Sequence, residues 1–323
     1  MKNKLYPLKF QPILKEKVWG GEKLKTILQK NTNFDKTGES WEISAIENSV
    51  SKVKNGSLKN YNLTELLKIY KERLVGKKIY KTYGEKFPLL FKFLDADQNL
   101  SLQLHPNDEI AKKRHNSFGK SEMWYILQAE ENAGIYVGFI PGTTQQDYLK
   151  HLQNDNLEKI MNFEKVKPGD VFYIKPGLVH SIGKGVLLAE IQQSSDITYR
   201  LYDWKRKDLN GKPRKLHTEL ALEAIDFQFD EFKITYDSSK NEFKKLVKNQ
   251  FFTTQKINLT KNLKLDYSQT DSFVVFMCVK GQVEIKTAEN TLHLNYGETV
   301  MIPAEINQIE LQTTTAELLE ITL

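Results

Sequence analysis

Val166-Lys-Pro-Gly-Asp-Val-Phe-Tyr-Ile-Lys-Pro-Gly-Leu-Val-His180 is echoed later in the chain by Leu294-Asn-Tyr-Gly-Glu-Thr-Val-Met-Ile-Pro-Ala-Glu-Ile-Asn307. In each stretch an apolar residue precedes a tight turn of Gly and an acid, and a strand follows that ends in proline. Upstream, Glu122-Met-Trp-Tyr-Ile-Leu127 parallels Ser272-Phe-Val-Val-Phe-Met277. A pattern that recurs along a chain points to related structural units. With one gap allowed, His180 falls opposite Asn307, and Glu122 falls opposite Ser272. The second copy keeps the strand and turn signals and lacks the ligand-bearing side chains.

Around these stretches, strand signals dominate. Leu89 to Leu94, Glu122 to Leu127, Ile135 to Phe139, Val171 to Ile174, Val186 to Ile191 and Phe273 to Val279 are rich in β-branched, aromatic and other apolar residues. Clusters of Gly, Pro, Asn and Asp separate them, which is the pattern of a sandwich or barrel. Helices are few. Asn62 can cap a helix over 63–74, with Glu65 closing a capping box and Gly76 just past the end. Asn107 can cap a short helix through Ala111, and the stretches 147–152 and 218–225 also read as helical. The sequence predicts a mainly β chain of two jelly-roll barrels with helical insertions. It predicts a first domain over 1–236 and a degenerate C-terminal barrel over 237–323, with Asp237 to Asn241 as the linker.

The bulk properties fit that picture. The chain has 323 residues, of which 40% are hydrophobic, enough for a substantial core. The single cysteine, Cys278, excludes a disulfide framework and a Cys-rich zinc module, and it sits in an apolar strand. No apolar run approaches the length of a membrane span, and the N-terminus lacks a signal-peptide pattern, so a cytoplasmic location is expected. A net charge of +6 suits an anionic small molecule, and it suits a lysine-rich surface equally well. No nucleic-acid motif accompanies the basic stretch from Lys205 to Lys215.

The stretch Asn99-Leu-Ser-Leu-Gln-Leu-His-Pro-Asn-Asp108 carries the first chemical signal. Side chains alternate faces along a strand, so Leu100, Leu102 and Leu104 share one face and Ser101, Gln103 and His105 the other. Glu122 opens a later strand, and His180 follows a strand and a Pro-Gly turn. Two histidines, a carboxylate and the amide oxygen of Gln103 make a credible shell for zinc, and the same donors suit Mn, Fe or Co. His115, His151, His217 and His293 read as surface or packing residues. Glu190 and Gln192 share a strand face, and a carboxylate there that faces a barrel interior must be paired or functional. Arg200 can reach the same cavity, or both residues can lie on an outer surface.

The run from Phe87 through Asp95 to Pro106 resembles the signature of type I mannose-6-phosphate isomerases, within the cupin superfamily. Gly38 to Ser44, Gly119 to Tyr125, Pro176 to Ser181 and Asp196 to Trp204 match further motifs of that family in order. The chain resembles the short bacterial form, without the large helical domain of eukaryotic members. The resemblance implies interconversion of mannose 6-phosphate and fructose 6-phosphate through a cis-enediol, and one zinc ion held by His105, Glu122 and His180 with Gln103 as a fourth ligand. It places Arg200 on the catalytic arginine and Glu190 on an acid near the sugar. Lys92, Ser101 and Lys120 fall on positions associated with the substrate and its phosphate. The proton carrier is then Glu190 or, second, Lys120. A monomer with a phosphorylated hexose substrate, no nucleic acid and no membrane partner is expected. Rival readings are an iron-dependent cupin oxygenase, a non-catalytic sugar-binding cupin, and an isomerase of another phosphorylated aldose.

Overall fold

The computed structural model describes residues 4–323 and divides into two compact units. One comprises residues 14–40 and 92–234, the other residues 4–13, 41–91 and 235–323. Both are β barrels of the jelly-roll type.

The first unit is built on two antiparallel sheets. One has strand order Ile13–Gly21, Thr37–Ile43, Leu89–Ala96, Val186–Gln193, Glu122–Ala129, Val171–Ile174 and Lys233–Ile234. The other runs Tyr199–Tyr202, Leu102–Leu104, His180–Ile182, Gly134–Phe139 and Met161–Lys165. Their facing sides interdigitate through Trp19, Leu94, Trp124, Ile126, Phe172 and Leu188 from one sheet and Ile135, Val137 and Ile182 from the other. Alternation along the central strands then places Lys92 beside Leu94, Glu122 beside Trp124, and Glu190 beside Leu188 on the same inward face. The barrel interior is therefore apolar toward one end and polar toward the other.

The leucines of the 99–108 stretch do not all pack as their alternation suggests. Leu102 and Leu104 face out of the barrel, where they meet Tyr199, Leu201, Phe139, Val179 and the helical residues Tyr148 and Ala221. Leu100 instead joins the interior core. Helices Gln145–Gln153 and Thr218–Leu222 cover this outer face, so the apolar side of the strand is dry. Burying each leucine stabilises the unit by roughly 1.5–3 kcal/mol. The polar side, with Gln103, is left to line the lumen.

In the second unit the long strand Val274–Lys286 organises the barrel. It pairs with Ala316–Thr322 and Thr299–Ile302 in its first half, and with Thr291–Asn295 and Gln308–Gln312 in its second. A register shift at Cys278/Lys280 bends it from one side of the barrel to the other. Its core is apolar, from Ile257, Phe276, Val300, Leu311 and Leu318 among others, and Cys278 is buried within it. Ser272 is buried at the position that echoes Glu122, and Asn307 is exposed at the position that echoes His180.

The helical segment of this unit departs from expectation. The capping box of Asn62 and Glu65 forms, but the helix ends at Tyr70 because Lys71 adopts φ 50°. A second helix, Glu72–Val75, follows, and a third, Lys77–Tyr83, forms where none was expected. No helix among the described residues is long and apolar enough to cross a membrane.

Two backbones come unusually close in the first unit. A Cβ on Gly20 would lie 2.4 Å from the backbone nitrogen of Gly38 on the neighbouring strand. Gly20→Ala must push these strands apart, and we expect a loss of about 1–3 kcal/mol in unfolding free energy. Chemical denaturation tests this, and an unchanged midpoint with an unchanged slope would show that the strands yield freely.

Candidate metal and catalytic site

At the polar end of the first barrel, His105, Glu122 and His180 converge. His105 lies one residue beyond Leu102–Leu104, Glu122 opens its strand, and His180 opens another. All three are buried. One ligand atom from each lies within 4.8 Å of the others, the one such cluster of metal-binding side chains among the described residues. Glu122 Oε2 is 3.5 Å from His105 Nε2, and Glu122 Oε1 is 3.4 Å from His180 Nε2.

Hydrogen bonding outside the cluster fixes what the imidazoles present inside it. His105 Nδ1 lies 2.9 Å from the carbonyl oxygen of Ile197, and His180 Nδ1 lies 2.9 Å from that of Leu178. A carbonyl can only accept, so both Nδ1 atoms donate and both Nε2 atoms carry lone pairs toward Glu122. This is the arrangement that orients imidazole metal ligands. Burial, followed by the Lys120 charge, holds the pKa of His105 down to about 4. Burial likewise lowers that of His180. For Glu122, burial pushes upward, but the Lys120 charge and the two imidazoles outweigh it and hold the carboxyl well below its ordinary range. The cluster is thus neutral, neutral and anionic near pH 7. Both Glu122 oxygens and His180 Nε2 are buried without a hydrogen-bond partner. Orphaned donors of this kind in a dry site fit a bound divalent cation.

Lys120 reaches the same place. Its Nζ is 3.0 Å from His105 Nε2 and 3.1 Å from Glu122 Oε2. Gln103 pairs across the sheet with both His180 and Arg200, which sets these three side chains in a row on the inner face. Its Oε1 accepts from Ser101 Oγ at 3.1 Å, and Ser101 Oγ accepts from Arg200 Nε at 3.3 Å. Among the described residues the Gln103 side chain makes no hydrogen bond to the cluster of three. Arg200 also donates from Nη1 to the carbonyl of Lys215 at 2.9 Å.

Glu190 faces inward. One oxygen accepts from Lys92 Nζ at 2.8 Å and the other from the indole nitrogen of Trp124 at 2.9 Å. Lys92 and Glu190 are both buried. Burial alone would lower the pKa of Lys92, but Glu190 and Glu39 hold it above its ordinary value. A buried ion pair of this quality brings little net stability, whereas loss of one partner strands a charge. Trp124 also stands edge-on to His180, with ring centroids 5.4 Å apart. Its place beside Glu190 was readable only through register, since Trp124 and Glu190 are cross-strand partners. Of the remaining histidines, His115 and His293 are exposed and His151 and His217 half-buried. His217 nonetheless touches Arg200, a contact that no sequence spacing signals.

The family model of the type I phosphomannose isomerase catalytic domain matches residues 7–133, and that of the mannose-6-phosphate isomerase cupin domain matches residues 242–322. The chain is 36% identical over 310 residues to mannose-6-phosphate isomerase ManA of Bacillus subtilis (strain 168), covering 95% of this chain and 96% of that one. It is 33% identical over 302 residues to a mannose-6-phosphate isomerase of Streptococcus mutans, covering 93% of each. The crystal structure of the Bacillus subtilis mannose 6-phosphate isomerase superposes with a TM-score of 0.90 at 30% identity, over 99% of this chain and 100% of that one.

The shifts at the cluster have a measurable consequence. His105 titrates near 6.5 when unfolded and near 4 when folded, so the folded state binds fewer protons between those limits. Stability is then full above about pH 6.5 and is lost as pH falls toward 4. In metal-stripped protein, unfolding free energy should decline across that window, and His105→Gln should flatten the decline. Equal stability of the wild type at pH 7 and pH 4.5 would refute the burial of neutral imidazoles.

Proposed function

The chain belongs to the type I mannose-6-phosphate isomerase family, and from that premise we propose that it interconverts mannose 6-phosphate and fructose 6-phosphate with a zinc ion held by His105, Glu122 and His180. The observation that carries this reading is the convergence of two neutral Nε2 lone pairs and an ionised carboxylate in one buried cluster, with His180 Nε2 left without a hydrogen-bond partner. Gln103 stands as a fourth candidate ligand, and its bond to Ser101 marks it as the weakest of the set. A bound zinc ion supplies Lewis-acid stabilisation to the oxygens on which charge develops.

The protein's own residues account for the rest. The reaction moves a proton between adjacent carbons through a cis-enediol. Of the two candidate carriers, the contacts favour Lys120. Both oxygens of Glu190 are already engaged by Lys92 and Trp124, whereas Lys120 Nζ lies directly against the ligand cluster. Glu190 then serves to hold Lys92 in the lumen, where Lys92 and Ser101 grip the anionic end of the sugar. Binding energy from that remote group positions the reacting carbons. Arg200 offers fixed positive charge to the enediolate through the N–H groups that Ser101 and Lys215 leave open. Catalysis resides in the first barrel, and the barrel over 237–323, with Ser272 and Asn307 at the echoed positions, holds no metal. The protein acts as a cytoplasmic monomer.

A coupled assay for fructose 6-phosphate tests the whole reading. Activity should vanish on chelation and return with Zn2+. Arg200→Ala should lose about 10²–10³ in kcat with metal retained, and His180→Ala should lose metal and activity together. Full metal occupancy in the His180 variant would refute the ligand assignment, and normal turnover in the Arg200 variant would remove the arginine from the mechanism.

A further inference from the structure

Arg200 is held at its backbone as well as at its guanidinium. Its N–H donates to Nδ1 of His217 at 3.1 Å, and the N–H of His217 donates back to the carbonyl of Arg200 at 2.7 Å. The guanidinium donates to the carbonyl of Lys215. The short strap 214–217 thus grips Arg200 at three points. At its other end Arg214 is anchored on Asp203, with Nε 2.6 Å from Oδ2 and Nη2 bonded to Oδ1. Arg206 binds the same carboxylate at 3.0 and 2.8 Å. Asp203 directly follows the strand that carries Arg200, so the strap is tied near both ends of that strand.

We infer that His217 is a positioning residue for Arg200: its ring nitrogen and backbone N–H clasp the arginine's main chain and so aim the guanidinium along the inner face of the barrel. The inference rests on the reading that Arg200 acts on the substrate.

The chemistry of the clasp is specific. A backbone N–H can only donate, so Nδ1 of His217 must carry its lone pair and the ring proton must sit on Nε2. Burial, followed by the charges of Arg200 and Lys215, keeps this imidazole below its ordinary pKa and hence in the accepting form. The backbone of residue 217 adds a further tie. It lies immediately before helix Thr218–Leu222, and its carbonyl accepts from Ala221 at 2.9 Å. The helix end and the arginine are thereby fixed to each other. Arg200 keeps further N–H groups that the strap and Ser101 do not occupy, and these are the ones an anionic oxygen can use.

The test compares four variants of the metal-loaded enzyme: His217→Asn, His217→Phe, His217→Ala and Arg200→Ala. Asparagine keeps an acceptor oxygen in the place of Nδ1, phenylalanine keeps the ring without the acceptor, and alanine removes both. His217→Phe and His217→Ala should lower kcat by about 10- to 100-fold, the scale of a small misplacement of a reacting group. KM and metal content should stay close to wild type, since the loss falls on the transition state. His217→Asn should recover most of kcat. Wild-type turnover in His217→Phe would overturn the inference, as would equal damage in Phe and Asn. If His217→Ala does not fold, the Phe and Asn pair decides the question. Wild-type turnover in Arg200→Ala would instead remove the arginine from the mechanism, and with it the premise of this inference, whatever the His217 variants do.

Discussion

Two imidazoles and a carboxylate share a dry pocket in which Lys120 alone reaches their inward atoms and His180 Nε2 has no hydrogen-bond partner, and the rest of the first barrel is arranged to keep them there. Left alone, such a set is unfavourable: each orphaned polar atom loses its bonds to water on burial. The barrel offsets this from outside. The carbonyls of Ile197 and Leu178 take the Nδ1 protons, and Lys120 lends positive charge to Glu122. These contacts fix tautomer, orientation and charge before any ligand arrives. A site preorganised in this way needs little rearrangement when a cation enters.

The same logic explains why the lumen is graded. Strands that carry Leu94, Ile126 and Leu188 toward the apolar end carry Lys92, Glu122 and Glu190 toward the polar end, on the same faces. The apolar half supplies stability. The polar half borrows rigidity from it, since each polar residue is two positions from a buried hydrophobe on its own strand. Trp124 sits at the boundary, with its ring in the core and its N–H on Glu190.

Much of this was legible in the sequence, for a physical reason. Period-two alternation exposed the polar face of 99–108, and the echo between 166–180 and 294–307 exposed the two barrels. His105, Glu122 and His180 were readable because each stands at the edge of a strong strand signal. The sequence was misleading where tertiary packing reassigns a face. Leu100, grouped by alternation with Leu102 and Leu104, instead joins the interior core, while the other two pack under the helices. The helix from Leu63 was overextended because nothing local marks Lys71 as left-handed. The partners of Glu190 and the clasp on Arg200 were hidden because they depend on cross-strand register and on a strap 15 or more residues away in sequence.

The second barrel shows what the first would be without a reactive pocket. Its strand Ala316–Thr322 repeats the Leu-x-Glu-Ile pattern of the strand that holds Glu190, with Glu320 in the corresponding place. Glu320 is buried as well, but its companions differ. It accepts from the Tyr267 hydroxyl and from Gln255 Nε2 at 3.0 Å, both neutral groups, and burial pushes its pKa up. A carboxyl held by neutral donors forms a self-contained hydrogen-bond network. The carboxyl of Glu190 is held instead by a buried ammonium, as one half of an ion pair inside the lumen. What separates the first barrel from its copy is therefore the company its buried acid keeps, more than the acid itself. That company consists of Lys92 on the neighbouring strand and of Trp124, whose ring stands edge-on to His180.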